Sequence, residues 1–292
     1  MEKNVIIGTA RKGNVRLYLA DTTSVCEEAR RLHGLYPTSL AALGRSLSIT
    51  GIMGLMQKEE GEVVTTTING GGPLGTVLVV ADSAGNVKGF VGDNELYLKY
   101  NDSNKLAVGL AVGIDGYLKV TKNLKMKQNY TSQVELQTGE IGDDFAYYFS
   151  VSEQIPAIVS VGVPVDTDYS CKSAGGMLIE LLPGHTEEDI VYMEELLKTL
   201  KPVSSVLEEE KDLVKYATSL FPDFELLEEK ELRYRCDCSK ERVMRNLLTL
   251  PKNDLLEILE EDHLEIHCEF CNKTYTYDKK DLDLVKMYVP DR

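Results

Sequence analysis

Four cysteines in the last quarter of the chain limit most strongly what it can fold into. Cys236 and Cys238 form a Cys-Asp-Cys pair, 29 residues follow, and Cys268 and Cys271 form a Cys-Glu-Phe-Cys pair. Two close pairs far apart in sequence are typical of a four-thiolate zinc site, because tetrahedral zinc takes four soft ligands from two turns. We therefore predict one bound zinc ion in a small C-terminal domain whose folding is coupled to the metal.

The sequence around these pairs predicts their local structure. Apolar residues alternate on both sides of the second pair, which indicates a hairpin with Cys268 and Cys271 in its turn. Between the pairs, Ser239 and Asn253 are each expected to cap a helix that carries an apolar stripe. His267 is expected to be a strand residue, because four thiols already satisfy zinc. The alternating residues are Leu264, Ile266, Tyr275 and Tyr277.

The single residue between Cys236 and Cys238 keeps their sulfurs close even when the metal leaves. Basic residues nearby in sequence would favour reactive thiolates. Peroxide or hypochlorous acid could then oxidise the thiolates, remove the zinc ligands and so abolish the zinc-coupled fold. A purely structural zinc knuckle is the alternative, and both interpretations stay open. The basic residues are Arg233, Arg235, Lys240, Arg242 and Lys273.

Acidic side chains are concentrated in the middle of the chain. Of the net charge of −15, residues 185–231 carry −9, from 14 acidic and 5 basic side chains, whereas residues 1–184 carry −4 and residues 232–292 carry −2. This predicts an N-terminal domain over 1–184, an acidic linker over 185–231 and a zinc-binding domain over 232–292. Because the overall charge repels phosphate backbones and anionic lipids, we expect no nucleic-acid and no membrane partner.

Apolar residues at three- and four-residue steps predict two amphipathic helices in the acidic linker, with Pro202 between them. Isolated helices of this length are marginal in water, and the Glu208–Glu210 run adds repulsion. The helices should therefore fold only when their stripes lie on another domain, which would make the linker conditionally folded. An ordinary surface helix pair is the alternative. The stripe residues are Ile190, Met193, Leu197, Leu200, Val206, Leu207, Leu213, Val214, Ala217, Leu220 and Phe221.

The first 184 residues predict a mixed α/β domain with a hairpin-rich sheet, so the fold class is α+β. Short β-branched runs separated by turn residues indicate the sheet. Small and apolar residues between Thr38 and Gln57 predict a helix buried against it, with Thr38 or Ser39 as the N-cap after Pro37. The strand runs are 63–68, 76–80, 87–91 and 157–165.

Other candidate motifs in this domain carry weak signals for chemistry. The glycine-rich run 69–75 lacks the Gly-Lys-Ser/Thr end of a phosphate loop, so we interpret it as a turn. Asp143 and Asp144 are expected to cap a helix that buries aromatic residues. Cys26 and His33 lie two helical turns apart and suit a structural pair better than a nucleophile and base. Cys171 has no visible partner.

The chain start lacks the pattern of a signal peptide, so we expect a cytoplasmic protein with reduced thiols. The longest apolar stretch, 47–56, is interrupted by polar and glycine residues and is shorter than the roughly 20 residues that span a membrane.

Six further segments are distinctive when taken together with the cysteine spacing: 28–34, 37–45, 71–75, 139–149, 152–156 and 174–176. They include Glu-Ala-Arg-Arg-Leu-His-Gly from Glu28 and Gly-Glu-Ile-Gly-Asp-Asp-Phe-Ala-Tyr-Tyr-Phe from Gly139. With four cysteines behind an acidic linker, this pattern resembles the 33 kDa chaperonin family, the redox-regulated heat-shock holdases of bacteria. The resemblance covers nearly the whole chain.

The resemblance implies an ATP-independent chaperone, not an enzyme, that is inactive while reduced and zinc-bound through Cys236, Cys238, Cys268 and Cys271. It implies that oxidation joins Cys236 to Cys238 and Cys268 to Cys271, releases zinc and frees an apolar surface that the linker covers. Unfolding client proteins would be its partners, the active form would be a homodimer, and ATP-dependent chaperones would refold the clients. Cys26 and Cys171 lie outside this switch and could form other disulfides.

Two other function classes share the cysteine pattern. A zinc-ribbon adaptor would need a basic face, and the net charge of −2 over 232–292 argues against nucleic acid. A disulfide oxidoreductase using Cys268 and Cys271 would need a βαβ context, whereas these cysteines lie in a hairpin pattern.

Overall fold

A computed structural model describes residues 3–101, 103 and 105–286 of the chain. The chain divides into two compact units, Met1–Arg235 (unit 1) and Cys236–Arg292 (unit 2). Helices and sheets occur in both, which confirms the predicted α+β class. The acidic linker belongs to unit 1. Within the described ranges, no helix combines the length and apolarity needed to cross a membrane.

Unit 1 contains two sheets where the sequence predicted one hairpin-rich sheet. The first has five antiparallel strands in the order β10-β1-β2-β9-β8. Its strands are β1 (Val5–Ala10), β2 (Val15–Asp21), β8 (Ala157–Gly162), β9 (Gly175–Leu181) and β10 (Glu225–Lys230).

The second sheet has the strand order β11-β5-β4-β3-β6-β7, and its neighbours are antiparallel except that β11 runs parallel to β5. Most of its strands alternate buried and less buried residues, as expected when one face lies on a core. Its strands are β3 (Val63–Asn69), β4 (Val77–Asp82), β5 (Asn86–Val91), β6 (Tyr117–Asn123), β7 (Tyr130–Glu135) and β11 (Arg233–Tyr234).

A long helix, α2 (Pro37–Leu55), packs against both sheets and is buried except at Arg45, which confirms the predicted buried helix. Its hydroxyl groups are satisfied internally: Ser48 Oγ donates to the Gly44 carbonyl, for example. The predicted N-cap is wrong, because Pro37 is the first helical residue and Tyr36 the cap. Thr38 and Ser39 instead bond backbone groups of the segment 93–98 and tie the helix to it.

The shorter helices of unit 1 surround this core. Asp144 accepts backbone N–H bonds from Gln137, Thr138 and Ile141 and so caps α4, as predicted, while Phe145 and Tyr148 are buried. These helices are α1 (Thr23–His33), α3 (Val108–Val112) and α4 (Gly142–Tyr148), with a 3₁₀ turn at Arg11–Gly13 and a π-helical turn at Phe149–Glu153.

The acidic linker forms three helices and then the strand β10, so the prediction of two helices is wrong. The helices are α5 (Glu187–Thr199), α6 (Val203–Glu209) and α7 (Leu213–Leu220). The break occurs where Glu210 leaves the helical conformation and Asp212 caps α7 by accepting the Lys215 N–H at 3.0 Å. The apolar stripe continues across this break, which is why sequence periodicity alone merged α6 and α7.

The three helices cover the face of the first sheet that points away from α2. Alternate strand residues, such as Ile6, Leu17 and Ile179, form one buried cluster with the helices. Two glycines make room: a Cβ on Gly162 would lie 2.3 Å from Ser204 Oγ, and one on Gly175 would lie 2.3 Å from Leu207 Cδ1. The linker residues of the cluster are Met193, Val203, Val206, Leu207, Leu213, Tyr216, Ala217 and Phe221.

The glycine-rich run 69–75 forms the turn that the sequence predicted. It connects β3 to β4 and packs directly on the backbone that follows α3. A Cβ on Gly70 would lie 2.2 Å from the Gly113 carbonyl oxygen, so this glycine permits close backbone contact.

Unit 2 has a small core of its own between three helices and a hairpin. Ser239 caps α8 as predicted, by accepting the Arg242 N–H at 3.2 Å. Asn253 is not a cap, because α9 already begins at Lys252 behind Pro251. The elements are α8 (Lys240–Leu247), α9 (Lys252–Glu260), β12 (His263–His267), β13 (Thr274–Asp278) and α10 (Lys279–Lys286). The buried core residues are Leu247, Leu255, Leu259, Tyr277, Leu282 and Val285.

Candidate metal centre

Two short segments of unit 2 present the four predicted cysteines. Cys236 and Cys238 lie just before α8, and Cys268 and Cys271 lie in the turn between β12 and β13. The turn is closed by backbone bonds: the Cys271 and Asn272 N–H groups donate to the Cys268 carbonyl at 3.2 and 2.8 Å. Asn272 adopts φ 56°, a left-handed conformation that Asn tolerates well. The strand register pairs Ile266 with Tyr275, as the alternating pattern predicted.

The four sulfurs converge on one point, and we call them the thiol cluster. All lie within 4.8 Å of one another. The Cys236–Cys268 sulfurs are 3.7 Å apart and the Cys238–Cys271 sulfurs 3.3 Å apart. Four sulfurs at the usual zinc distance of about 2.3 Å would be separated by about 3.8 Å at tetrahedral corners. The thiol cluster therefore has the dimensions and the donor set to hold a metal ion.

Two sulfur contacts join the two sequence pairs, Cys236 with Cys268 and Cys238 with Cys271. In this arrangement the four cysteines of the cluster are thiols and not disulfides. The resemblance implied disulfides between Cys236 and Cys238 and between Cys268 and Cys271, that is, within each sequence pair of the thiol cluster. That pairing stays a prediction.

The thiols of the cluster differ in acidity. Burial raises the pKa of Cys238, but hydrogen bonds from Tyr275 and the other thiols outweigh it and lower the pKa to about 7. Burial raises the pKa of Cys271 to about 11, and hydrogen bonds with Cys238 and Cys268 act in the same direction. A proton is thus lost more easily at Cys238 than at Cys271, and proton loss is the step that a thiolate ligand or nucleophile needs.

Tyr275 is the functional residue that the sequence analysis did not assign. Its hydroxyl lies 3.0 Å from both the sulfur and the carbonyl oxygen of Cys238. The available signal was its position in the hairpin, since the alternating pattern places it opposite Ile266, two residues before Cys268. Hydrogen bonds of this kind orient metal ligands and stabilise their charged form.

Three of the five basic residues expected to favour thiolates have carboxylate partners. Lys240 Nζ lies 2.7 Å from Asp281, and Arg242 pairs with Asp237. Arg233 belongs to unit 1, where it pairs with Glu231. His267 lies on β12 with its Nδ1 2.8 Å from Thr274 Oγ1, consistent with its predicted role as a strand residue.

Cys26 and Cys171 both lie in unit 1. The pKa of Cys26 is raised well above its usual value, with the Cys171 side chain as the largest cause and burial as the next. The suggested structural pairing of Cys26 with His33 stays a prediction; His33 Nε2 lies 2.9 Å from the Tyr234 hydroxyl. Sequence spacing could not reveal this influence of Cys171, since these cysteines are far apart along the chain.

Polar contacts, in addition to the apolar stripe, hold the acidic linker on the rest of unit 1. Asp189 bonds Arg11 at 2.9 Å and Asn14 at 2.8 Å. A backbone hydrogen bond from Thr186 is the largest of several causes that hold the pKa of Asp189 well below its usual value. On α6, Glu208 pairs with Lys172 at 2.6 Å. These contacts tie α5 and α6 to the rest of unit 1.

The fold and the thiol cluster define an α+β protein in which a separate small unit could hold a metal ion through four cysteines. A family model described as Hsp33 protein matches residues 3–278. A 33 kDa chaperonin of Alkaliphilus oremlandii is 42% identical over 289 residues, covering 98% of this chain and 97% of the relative. One of Clostridioides difficile is 40% identical over 285 residues, covering 97% and 98%.

The structural comparison agrees. The crystal structure of the 33 kDa chaperonin (heat shock protein 33 homolog) of Thermotoga maritima is 32% identical, with a TM-score of 0.87 over 99% of this chain and 100% of that one. The chain belongs to the Hsp33 family of chaperones, and the resemblance found in the sequence is confirmed.

Proposed function

We propose that this chain is an ATP-independent holdase that oxidation activates and that it is not an enzyme. The observation that carries the proposal is that the acidic linker covers an apolar face of the first sheet, while the chain beyond it enters a unit built around four oxidisable thiols. A chaperone that binds unfolding proteins needs an apolar surface that is hidden until it is required.

The reduced state is inactive and binds one zinc ion through Cys236, Cys238, Cys268 and Cys271. Zinc supplies binding free energy that is coupled to the folding of unit 2. Six buried apolar residues form the described core of that unit, which is a small core for a domain of this size. The metal therefore contributes a large part of the stability of unit 2.

Oxidation removes the ligands. Peroxide or hypochlorous acid oxidises one thiolate of each pair to a sulfenic acid or a sulfenyl chloride. The second thiol then attacks that sulfur and expels water or chloride, which forms Cys236–Cys238 and Cys268–Cys271. Zinc leaves and unit 2 unfolds. Cys238 can start this reaction readily once metal-free, because its pKa is lowered to about 7.

Loss of unit 2 then frees the acidic linker, whose negative charges repel one another once the ordered contacts loosen. The uncovered sheet face binds unfolding clients, the active form is a homodimer, and ATP-dependent chaperones refold the released clients. The site of action is the cytoplasm, where the thiols stay reduced until stress.

The test measures zinc release and suppression of client aggregation before and after peroxide at elevated temperature. We expect the reduced protein to protect poorly and the oxidised protein to protect well after losing its zinc. Dithiothreitol and zinc should restore the inactive state. Equal protection by both forms, or oxidation without zinc release, would leave the thiol cluster with a structural role and refute the switch.

Hydrogen exchange of residues 185–231 tests the linker step separately. We expect strong protection in the reduced protein, since these residues are packed on the first sheet, and weak protection after oxidation. Unchanged protection would contradict linker release even if zinc is lost.

A further inference from the structure

Three tyrosines from separate parts of unit 1 form an exposed aromatic surface, which we call the tyrosine surface. The Tyr169 ring contacts both of the others, with its centroid 5.5 Å from that of Tyr36 and 5.8 Å from that of Tyr97. These separations are typical of favourable aromatic pairs. Tyr36 is 39% exposed and Tyr97 is 44% exposed while the acidic linker is packed on the first sheet. The tyrosine surface is therefore open in the state that the proposed function treats as inactive.

The backbone holds the rings in a fixed arrangement. Tyr36 is the cap of α2, and its N–H donates to the Asn94 carbonyl at 2.8 Å. The segment 93–98, which carries Tyr97, is hydrogen-bonded to the first turn of α2. A surface that is organised before binding loses little conformational freedom when a ligand arrives.

Tyr169 occupies a backbone position that does not suit a bulky side chain. Its φ is 70°, in the left-handed region where glycine carries no steric cost. Two backbone bonds of 3.0 Å close this turn: the Tyr169 N–H donates to the Asp166 carbonyl, and the Asp166 N–H donates to the Ser170 carbonyl. Glycine would relieve the strain but would remove the ring. Because strained residues cluster at binding sites, the strain points to a role for the ring itself.

The loops that carry the rings have an excess of negative charge. Residues 34–37, 93–99 and 166–170 contain four acidic side chains and one basic side chain. Arg30 of α1, within electrostatic reach of this surface, pairs with Glu27 at 2.6 Å and so adds little positive charge. A positively charged ligand is therefore favoured over a neutral or negative one. The acidic residues are Asp93, Glu95, Asp166 and Asp168, and the basic residue is Lys99.

Lys99 shows which chemical group these rings accept. Its ammonium nitrogen lies 5.2 Å from the centroid of the Tyr97 ring. A cation over an aromatic face is attracted by the electrons of the ring, and arginine makes such contacts most often because its flat guanidinium also stacks. Lys99 is exposed, so an arriving cation can displace it.

We propose that the tyrosine surface binds arginine side chains of an extended polypeptide, and that this polypeptide is an unfolding client. The rings supply faces for the guanidinium groups, and the four acidic side chains attract these groups from solution. Neither contribution depends on oxidation, so the reduced protein binds the polypeptide as well. The binding itself is independent of the proposed function, whereas the identification of the polypeptide as a client rests on it.

The position of the tyrosine surface suits a first contact with a client. The loop that carries Tyr169 continues to Lys172 and Ser173, which contact the linker helix α6. Lys172 pairs with Glu208 at 2.6 Å, and Ser173 Oγ donates to the Ser204 carbonyl at 3.1 Å. A client bound through its arginines thus lies close to the apolar face that oxidation uncovers.

The experiment titrates the reduced, zinc-loaded, full-length protein with short capped peptides. Every third residue of a peptide is arginine, glutamine, proline or glutamate, and the others are glycine and serine. NMR of ring-labelled tyrosines reports the contact. We expect the arginine peptide to shift the ring signals of Tyr36, Tyr97 and Tyr169, and the other peptides to shift them much less.

Three outcomes of this titration overturn the proposal. The first is that the arginine peptide leaves the three ring signals unchanged. The second is that the glutamine or the proline peptide binds as well as the arginine peptide, because the cation would then be irrelevant. The third is that the ring signals move with protein concentration before any peptide is added, because the occupant would then be a second copy of this chain.

Two substitutions at Tyr97 separate the aromatic face from its apolar area. Tyr97→Phe keeps the face and should bind the arginine peptide as wild type does, whereas Tyr97→Leu should bind it about threefold more weakly. Tyr147→Leu, at an exposed tyrosine of α4, is the matched control and should bind like wild type. Circular dichroism reports whether each variant folds, and Tyr36→Leu provides the same test independently. Wild-type affinity in both Tyr97→Leu and Tyr36→Leu would contradict a role of the rings.

Lys99→Gln should act in the opposite direction. It removes the ammonium that competes for the Tyr97 ring and makes the surrounding loops more negative. The affinity for the arginine peptide should therefore rise by about threefold. A surface with only a structural role would show no gain, so unchanged or weaker binding by Lys99→Gln overturns the assignment of a cation site.

The client role is measured with a client that has an excess of basic residues. After oxidation, Tyr97→Leu should suppress aggregation of this client less than Tyr97→Phe does. Equal suppression would overturn the client role and leave the peptide result standing. Absence of protection by oxidised wild type would instead refute the proposed function, so the two proposals fail separately.

Discussion

The Tyr275 hydroxyl lies 3.0 Å from the Cys238 sulfur, so one phenol acts on the chemistry of the thiol cluster without being a ligand. The hydrogen bond stabilises the thiolate and fixes the direction of the sulfur. Tyr277, two residues further along β13, uses its hydroxyl differently: it donates to the Lys240 carbonyl at 2.8 Å and supports the core.

Tyr275→Phe should weaken zinc binding by about tenfold at neutral pH, because the Cys238 thiolate loses a stabilising donor. Competition with a chromophoric zinc chelator under reducing conditions measures this. Tyr277→Phe is the matched control, since it removes a hydroxyl from the same strand that touches no sulfur, and should leave zinc affinity nearly unchanged. Equal affinities of wild type and Tyr275→Phe would contradict the assigned role.

Glu180 provides a second prediction at the scale of one residue. It is buried on β9 opposite Arg16 of β2, and burial raises its pKa to about 7, with Arg16 opposing the rise. Because the folded-state pKa lies above the unfolded value of 4.5, the stabilisation is fully present below pH 4.5 and is lost as pH rises through about 7. The shift corresponds to a free energy on the order of 3 kcal/mol.

Urea unfolding at pH 5 and pH 8 measures how the free energy of unfolding of unit 1 depends on pH. Glu180→Gln should remove much of the pH dependence and make unit 1 more stable than wild type at pH 8, because no buried charge forms. Glu95→Gln, at an exposed position, is the control and should follow wild type. If Glu180→Gln keeps the full wild-type pH dependence, another group is responsible.

At the scale of elements, helix α6 depends on close approach to the first sheet. The Ser204 side chain occupies the space next to Gly162, and Ser160 Oγ accepts the Val203 N–H at 3.3 Å. A poor fit would destabilise α6, the shortest of the linker helices, which has little stability of its own.

Gly162→Ala should loosen α6, because its Cβ would lie 2.3 Å from Ser204 Oγ and 2.8 Å from Ser204 Cβ. Overpacking of this kind costs about 1–3 kcal/mol. We expect faster hydrogen exchange over residues 203–209 and measurable protection of clients without oxidant. Gly142→Ala is the control, since a Cβ there has its nearest neighbour at 3.4 Å. If Gly162→Ala leaves hydrogen exchange over residues 203–209 unchanged, then α6 shifts to accommodate the added methyl group.

These elements also show what the sequence could and could not predict. The buried α2 was predictable because small and apolar residues cover all of its faces, whereas its true start was not, since Thr38 and Ser39 bond a segment about 60 residues away. Local spacing likewise predicted the thiol hairpin. It could not predict the break at Glu210, because that depends on which parts of the chain meet.

At the scale of the whole molecule, the two units differ in what stabilises them. Unit 1 buries α2 between two sheets and has a large apolar core, whereas the described core of unit 2 consists of a few residues. Metal loss should therefore affect the units unequally.

A strong zinc chelator under reducing conditions should abolish hydrogen-exchange protection in residues 236–286 while α2 and the strands of unit 1 outside the acidic linker stay protected. The reason is that zinc binding supplies much of the folding free energy of such small domains. Protection that returns on adding zinc is the control for irreversible damage. If unit 2 stays protected from hydrogen exchange without metal, its apolar core is sufficient to keep it folded.

The strand β10 belongs to the acidic linker yet is hydrogen-bonded to β1 at one end of the first sheet. Its residues are mostly exposed and include Glu225, Glu228 and Glu229, the kind of charged edge that discourages sheet-to-sheet aggregation. If the linker detaches as far as β10, the backbone of Val5–Thr9 loses that partner and becomes an open edge. Activation would then offer an unfolding chain a template for strand pairing as well as an apolar face.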